Sequence, residues 1–163
     1  MKALSLWQPW ASLMAVGAKK IETRSWPTNY RGLVAIHSAK RFQEMGRLPL
    51  GQKRFHDALD LDYEIKNQRL DLPPGCFISV GRLHRLLSTT AHAAAIPDQK
   101  TDEFWFGDYS PNRFMWFFDE VWKLKELVYT AGHQGLWVVG ESEQIVIEEM
   151  LPEEAKRELV TAQ

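Results

Sequence analysis

The 163 residues, 45 % of them apolar and 25 % charged, make an ordinary globular composition and exclude a wholly disordered chain. There is no apolar run near the roughly 20 residues a bilayer span needs, and one cysteine, Cys76, cannot make an internal disulfide or a cysteine-rich zinc site. The net charge of −1 hides an asymmetry: Lys19–Arg54 carries nine basic residues against Glu22 and Glu44, whereas Glu141–Gln163 carries seven acids against Lys156 and Arg157. A basic N-terminal half of this kind points to a polyanionic partner.

In chain order, residues 2–6 read as a first strand. A helix follows, with Pro9 at its first position, where the missing N–H costs nothing. Trp10, Leu13, Met14 and Val16 form its apolar side, and Gly17 stops it. Residues 20–25 are extended, and strand alternation sets Lys20, Glu22 and Arg24 on one face and Ile21 and Thr23 on the other. Trp26-Pro27-Thr28-Asn29 is a turn. Residues 32–38 form an apolar strand buried on both sides, containing His37. Residues 41–72 are polar and read as a helical insertion, with Phe55, Leu59 and Tyr63 on one helical face.

Pro73-Pro74-Gly75 then punctuates the chain. A long strand runs over 76–87, with a slip in its alternation that marks a bulge. Residues 91–111 are loop-rich, 113–122 form an aromatic strand and 135–139 a short one. The acidic tail opens a helix at Pro152 that ends near residue 161 and reads as solvated, with Ala155, Leu159 and Val160 on its apolar side. Strands dominate without regular strand–helix alternation. The expected class is α+β: one domain over 1–163, a small, mixed, curved sheet or barrel with helices packed around it.

Gly17-Ala18-Lys19-Lys20-Ile21-Glu22-Thr23-Arg24 is the densest polar cluster of the first fifty residues. A helix end, a sharp turn and a strand would set Lys19 beside the rim of a cleft, with Glu22 and Arg24 projecting from the strand. Such a trio can hold a planar polar ligand: the cations donate, and the carboxylate accepts from an exocyclic amine or ring N–H. The plainer alternative is a surface strand with a weak ion pair.

The block Leu4-Ser5-Leu6-Trp7-Gln8-Pro9-Trp10-Ala11-Ser12-Leu13, followed by Gly17-x-Lys19-x-x-Glu22-x-Arg24-Ser25-Trp26, resembles the ASCH domain family. Within it, the Gln-Pro-Trp-Ala helix and the Ser-Trp pair resemble a coactivator-like branch. Tyr30-Arg31-Gly32, Ile36-His37-Ser38-Ala39-Lys40, Pro74-Gly75-Cys76, Phe106-Gly107-Asp108-Tyr109-Ser110-Pro111 and Gln134-Gly135-Leu136-Trp137 continue the likeness. The resemblance implies a PUA-like fold, a small mixed β-barrel flanked by helices, and an association with RNA, or with DNA in the coactivator branch. It also implies a hydrolase alternative, since some members remove acyl groups from N4 of cytidine and one has been linked to RNA cleavage. The deacylating members resemble Gly-x-Lys-x-x-Thr-x-Arg, and here Glu22 stands at the Thr position.

Three functions follow as expectations. The first is a nucleic-acid or nucleotide-binding module for RNA or single strands. Lys19, Lys20, Arg24, Arg31, Lys40 and Arg41 would meet phosphates, Trp10, Trp26 or Trp116 would stack on bases, and Gln8 and Glu22 would read base edges. The second is a hydrolase in which Lys19 activates water, Arg24 stabilises the oxyanion, and Glu22 or Asp108 gives the proton to the leaving amine. The third is a protein-interaction domain. Tyr109 and Arg113 complete the candidate cleft, Arg113 with Trp116 as a second wall; His37, within an apolar strand, reads first as a satisfied core histidine, the alternative being that it faces the cleft across from Lys19. His56, His84, His92 and His133 lack ligand spacing, so neither metal nor cofactor is expected. A monomeric, cytoplasmic protein with no membrane partner completes the reading.

Overall fold

The structure is a computed structural model, described over residues 1–40, 53–60 and 72–161. It has the expected α+β class, a curled six-stranded half-barrel with helices packed on it. The strands are β1 (Lys2–Leu6), β2 (Ile21–Arg24), β3 (Gly32–Ser38), β4 (Cys76–Ser88), β5 (Phe114–Tyr129) and β6 (Leu136–Val138). Their order across the sheet is β2-β5-β4-β3-β1-β6, with β1 parallel to β3 and the other neighbours antiparallel. The helices are α1 (Trp10–Ala15), α2 (Lys53–Leu59), α3 (Asp102–Trp105), α4 (Glu141–Met150) and α5 (Glu153–Thr161). No helix among the described residues is long and apolar enough to cross a membrane.

Strand alternation explains why both faces of the sheet are covered. Leu4, Leu6, Val34, Ile36, Cys76 and Ile78 pack with Trp116, Phe118 and the α1 residues Ala11 and Met14. The intervening Ala3, Leu33, Ala35 and Phe77 pack instead with Leu124 and with Ile147, Leu151 and Ala155 from the tail. The central strand β3 is thus buried on both sides, as its unbroken apolar run requires.

Curling comes from β4 and β5. Their pairing shifts register three times, between Phe77 and Ser79, Gly81 and Leu83, and Leu83 and Arg85. Such irregularities bend a sheet. Gly81 lies directly beneath the Phe118 ring, where a Cβ would stand 2.7 Å from a ring carbon.

Several boundaries differ from the sequence reading. Pro9 stands before the first turn of α1, not in it, and its peptide bond to Gln8 is cis. β5 continues to Tyr129 and does not stop near 122. Its second half pairs with the start of β4 and shows Lys123, Lys125 and Glu126 to solvent; these charges disguise a strand whose Leu124 is buried. The tail holds two helices broken at Pro152, and it is not simply solvated: Ile147, Leu151 and Ala155 seal one face of the sheet. In the insertion, α2 packs Phe55 and Leu59 with Leu13 and Phe106. Tyr63 and Arg41, and most of the 41–72 segment, lie outside the described residues.

Candidate functional site

Gly17 ends α1 with φ +75°, a left-handed conformation in which glycine pays no Cβ penalty. The chain reverses there and enters β2. Lys19, just before the strand, is fully buried rather than at a rim, which corrects its expected position. Its ammonium donates to the carbonyls of Ile21 and Phe106, the latter at 2.8 Å, and faces Glu22 Oε2 at 3.4 Å. All three N–H groups therefore have acceptors within reach. Lys19 ties the 106 region to β2 and supports Glu22 from beneath.

Glu22 is flanked on its other side by Arg24, whose Nε lies 3.2 Å from Oε1 in a close ion pair. Nε is not aimed at the oxygen well enough for a hydrogen bond. Arg24 Nη2 donates to the Ser5 carbonyl at 2.8 Å. Glu22 and Arg24 open onto a cleft of about 500 Å³ whose walls include Trp7, Trp10, Trp105, Asp108 and Arg113. An acceptor held between two cations, with indole walls around it, suits a flat ligand with N–H groups on one edge.

The opposite wall is built by α3 and the loop after it. Arg113 donates to the Thr23 carbonyl at 3.0 Å and pairs with Asp108 at 3.3 Å. Partial burial pushes the Asp108 carboxyl up, but hydrogen bonds from Ser110 and the Arg113 charge outweigh it and hold Asp108 below the usual carboxylate range. An acid held ionised is a poor proton donor, which counts against the role suggested for it from sequence. Glu103 on α3 accepts the N–H groups of Lys20 and Ile21 at 2.7 and 3.1 Å, capping the start of β2. Burial raises its pKa, against the pull of Lys19 and the two N–H bonds.

A second hollow, of about 530 Å³, adjoins the first and shares Ser5, Trp7 and Arg24 with it. It adds Trp26, His37, Lys40 and the 132–135 loop. His37 is buried: Nε2 meets the Thr130 carbonyl at 3.2 Å and Nδ1 meets Ser5 Oγ at 3.3 Å. Burial lowers its pKa, with the Thr130 contact opposing and His133 adding to the shift. His37 thus stands in the second hollow and not across the first cleft from Lys19.

The remaining candidates separate. Gln8 is buried and committed to the fold, accepting the Ser12 N–H at 3.1 Å and donating to the Pro73 carbonyl at 3.0 Å. Trp116 is fully buried in the core, edge-on to Trp26, so it is no surface for a base. Arg31 folds back on the carbonyls of Thr28 and Tyr30. Lys20 is exposed. Tyr109 stacks on Phe104 and contacts the Glu103 carbonyl; burial and the charges of Glu103 and Glu22 push its phenol far above the ordinary range. Among the described residues no group of three or more His, Cys, Asp or Glu could hold a metal ion.

Sequence reasoning missed Trp7, Trp105 and Glu103. Trp7 carries a signal in hindsight: an indole at a strand end, directly before a helix, stands at the mouth of whatever the two elements enclose. Nothing local to Glu103 betrays its partners, which lie 82 and 83 positions away.

Activating signal cointegrator 1 of Homo sapiens and of Mus musculus is each 30 % identical over 141 residues, covering 82 % of this chain and 24 % of the relative. The chain thus spans about a quarter of the length of these curated relatives. Crystal structures of two mutants of the ASCH protein of Zymomonas mobilis share the fold at 11 % identity. Their TM-scores are 0.52 and 0.51, with 90 and 92 % of this chain and 95 and 96 % of theirs covered. The ASCH domain model matches residues 4–95, more than half of the sequence and the whole Lys19–Glu22–Arg24 region, and the chain belongs to the ASCH domain family.

Proposed function

We propose that this chain binds RNA or another single-stranded nucleic acid, with an unpaired base seated in the cleft over Glu22. The observation that carries the reading is the Glu22 carboxylate, held between Lys19 and Arg24 at 3.4 and 3.2 Å in a concave site walled by indoles. The carboxylate accepts from an amine or ring N–H, and Trp7 and Trp10 offer flat apolar surfaces. A base paired in a duplex has that edge occupied, so the cleft favours unpaired or splayed-out nucleotides. Arg24 and Lys40 supply positive charge for the backbone. The ASCH domain is a PUA-like fold associated with RNA binding, which agrees with this chemistry.

The hydrolase alternative has less support. Lys19 is fully buried, donates to two backbone carbonyls and pairs with Glu22, which leaves it no path to take a proton from water. Asp108 is held ionised. The experiment is a fluorescence titration with short single- and double-stranded oligonucleotides at low and high salt. Single strands are expected to bind more tightly and to weaken as salt rises; no binding at low salt sinks the proposal. Incubation with N4-acetylcytidine and with RNA, beside a Lys19→Ala control, tests the hydrolase reading in parallel.

A further inference from the structure

Two hollows of nearly equal size, about 500 and 530 Å³, lie side by side and share Trp7, Arg24 and Ser5. Each falls in the range that accepts a drug-sized planar ligand. Their linings differ in sign. The first presents the Glu22 and Asp108 carboxylates, both paired with arginine. The second carries Arg24, Lys40, His37 and His133, and no carboxylate is among the described residues that line it. Trp7 stands on the divide, is 50 % exposed and makes no hydrogen bond through its indole among the described residues. Arg24 also faces both sides, and Ser5 and Glu22 occupy only part of its five-donor fork.

The second hollow is shaped by a close approach that tolerates no side chain at 132. A Cβ on Gly132 would stand 2.6 Å from His37 Nδ1 and 2.9 Å from Ser5 Oγ. The loop therefore lies flat against His37, and His133 beside it is exposed, its ring edge-on to Trp137 at 4.8 Å.

Resting on the proposed single-strand binding, we infer that the second hollow is a subsite for the adjacent nucleotide, so that the chain grips two successive nucleotides. The first base meets Glu22. The linking phosphodiester crosses the divide at Arg24 and Lys40, and Trp7 stands between the two bases as a stacking wedge. The second base lies among Trp26, His133 and the 132–135 loop. A neutral nucleoside fills only the first hollow, whereas a dinucleoside monophosphate fills both through one covalent link, and linked binding multiplies affinity.

The test is calorimetric titration of the full chain with the four ribonucleosides, their 3′- and 5′-monophosphates, the sixteen ribodinucleoside monophosphates and a ten-nucleotide strand. The best dinucleoside monophosphate is expected to bind at least about tenfold tighter than either of its nucleosides. Lys40→Gln and His133→Ala, both at exposed positions, are expected to bring that ratio close to one, with circular dichroism confirming the fold. Nucleosides that bind with no dinucleotide gain overturn the second subsite and leave the first reading standing. A gain already complete with a monophosphate overturns it too, because the hollow then holds phosphate alone. A gain that both variants leave intact puts the second nucleotide elsewhere. No binding of any probe, the ten-nucleotide strand included, defeats the underlying reading.

Discussion

Arg24 on β2 donates from Nη2 to the carbonyl of Ser5 on β1 at 2.8 Å, although three strands lie between them in the sheet. Four strand spacings in a flat sheet amount to roughly 19 Å, beyond the reach of an arginine. The contact exists because the sheet curls, and it closes the curl across the mouth of the cleft. Arg24→Lys keeps the charge but loses the fork that serves Glu22 and Ser5 together. It is expected to cost about 1–2 kcal/mol in urea denaturation, the scale of a charged hydrogen bond that is mostly shielded from water. Oligonucleotide affinity should fall with it. A variant with unchanged stability and affinity would show the contact to be incidental.

Lys19 is the more severe case. Its side chain has no exposure, and its removal strands two carbonyls and leaves Glu22 with Arg24 alone. Lys19→Met is expected to destabilise the fold by about 3 kcal/mol, the range for breaking a buried pair on one side. Adding Glu22→Gln should recover part of that loss. Denaturation midpoints of the two singles and the double separate this positioning role from a purely chemical one.

How far the sequence carries can be read from these same residues. The polar block from Gly17 to Arg24 marked the helix end, the turn and the strand, because glycine, alternation and charge act locally. The two-sided burial of β3 followed from its apolar run in the same way. What stayed hidden depends on distant partners. Lys19 reads as a rim lysine until Phe106 is brought over it, and Gln8 reads as a polar reader until Pro73 takes its amide. Trp116 cannot be told from a cleft indole until Trp26 and α1 pack on it. The second half of β5 is masked by charges that only an exposed strand face explains.

His37 sets a pH dependence. In the folded chain Ser5 Oγ accepts from Trp137 Nε1 at 3.3 Å and meets His37 Nδ1, while Nε2 points to the Thr130 carbonyl. That pattern uses a neutral ring with its proton on Nε2. Because burial lowers the folded pKa below the ordinary histidine value of about 6.5, the unfolded chain takes up a proton first as pH falls. The stability contribution is present above that value and is lost as pH falls below it towards the folded value. Midpoints measured between neutral pH and pH about 5 should show a step in the wild type that His37→Gln diminishes; equal slopes in both would contradict it.

Arg82 on β4 joins Asp119 and Glu120 of β5 to Glu158 of α5, at 2.8, 3.2 and 2.6 Å. The site is partly open to water, so the network is worth modest energy: Arg82→Ala is expected to cost about 1 kcal/mol, and less at high salt. A loss that does not respond to salt would mean that the packing of the arginine stem dominates.

Trp7 is expected to separate binding from stability. Half of its surface is exposed, so truncation removes little core. Stacking of one base on an aromatic ring is worth roughly 1–3 kcal/mol, so Trp7→Ala should weaken single-strand binding by roughly 5- to 150-fold. Trp7→Phe, which retains a smaller ring, should fall between the two. Its melting temperature and that of Trp7→Ala should stay near the wild-type value. If affinity instead declines only in step with lost stability, Trp7 supports the fold of the cleft and touches no base.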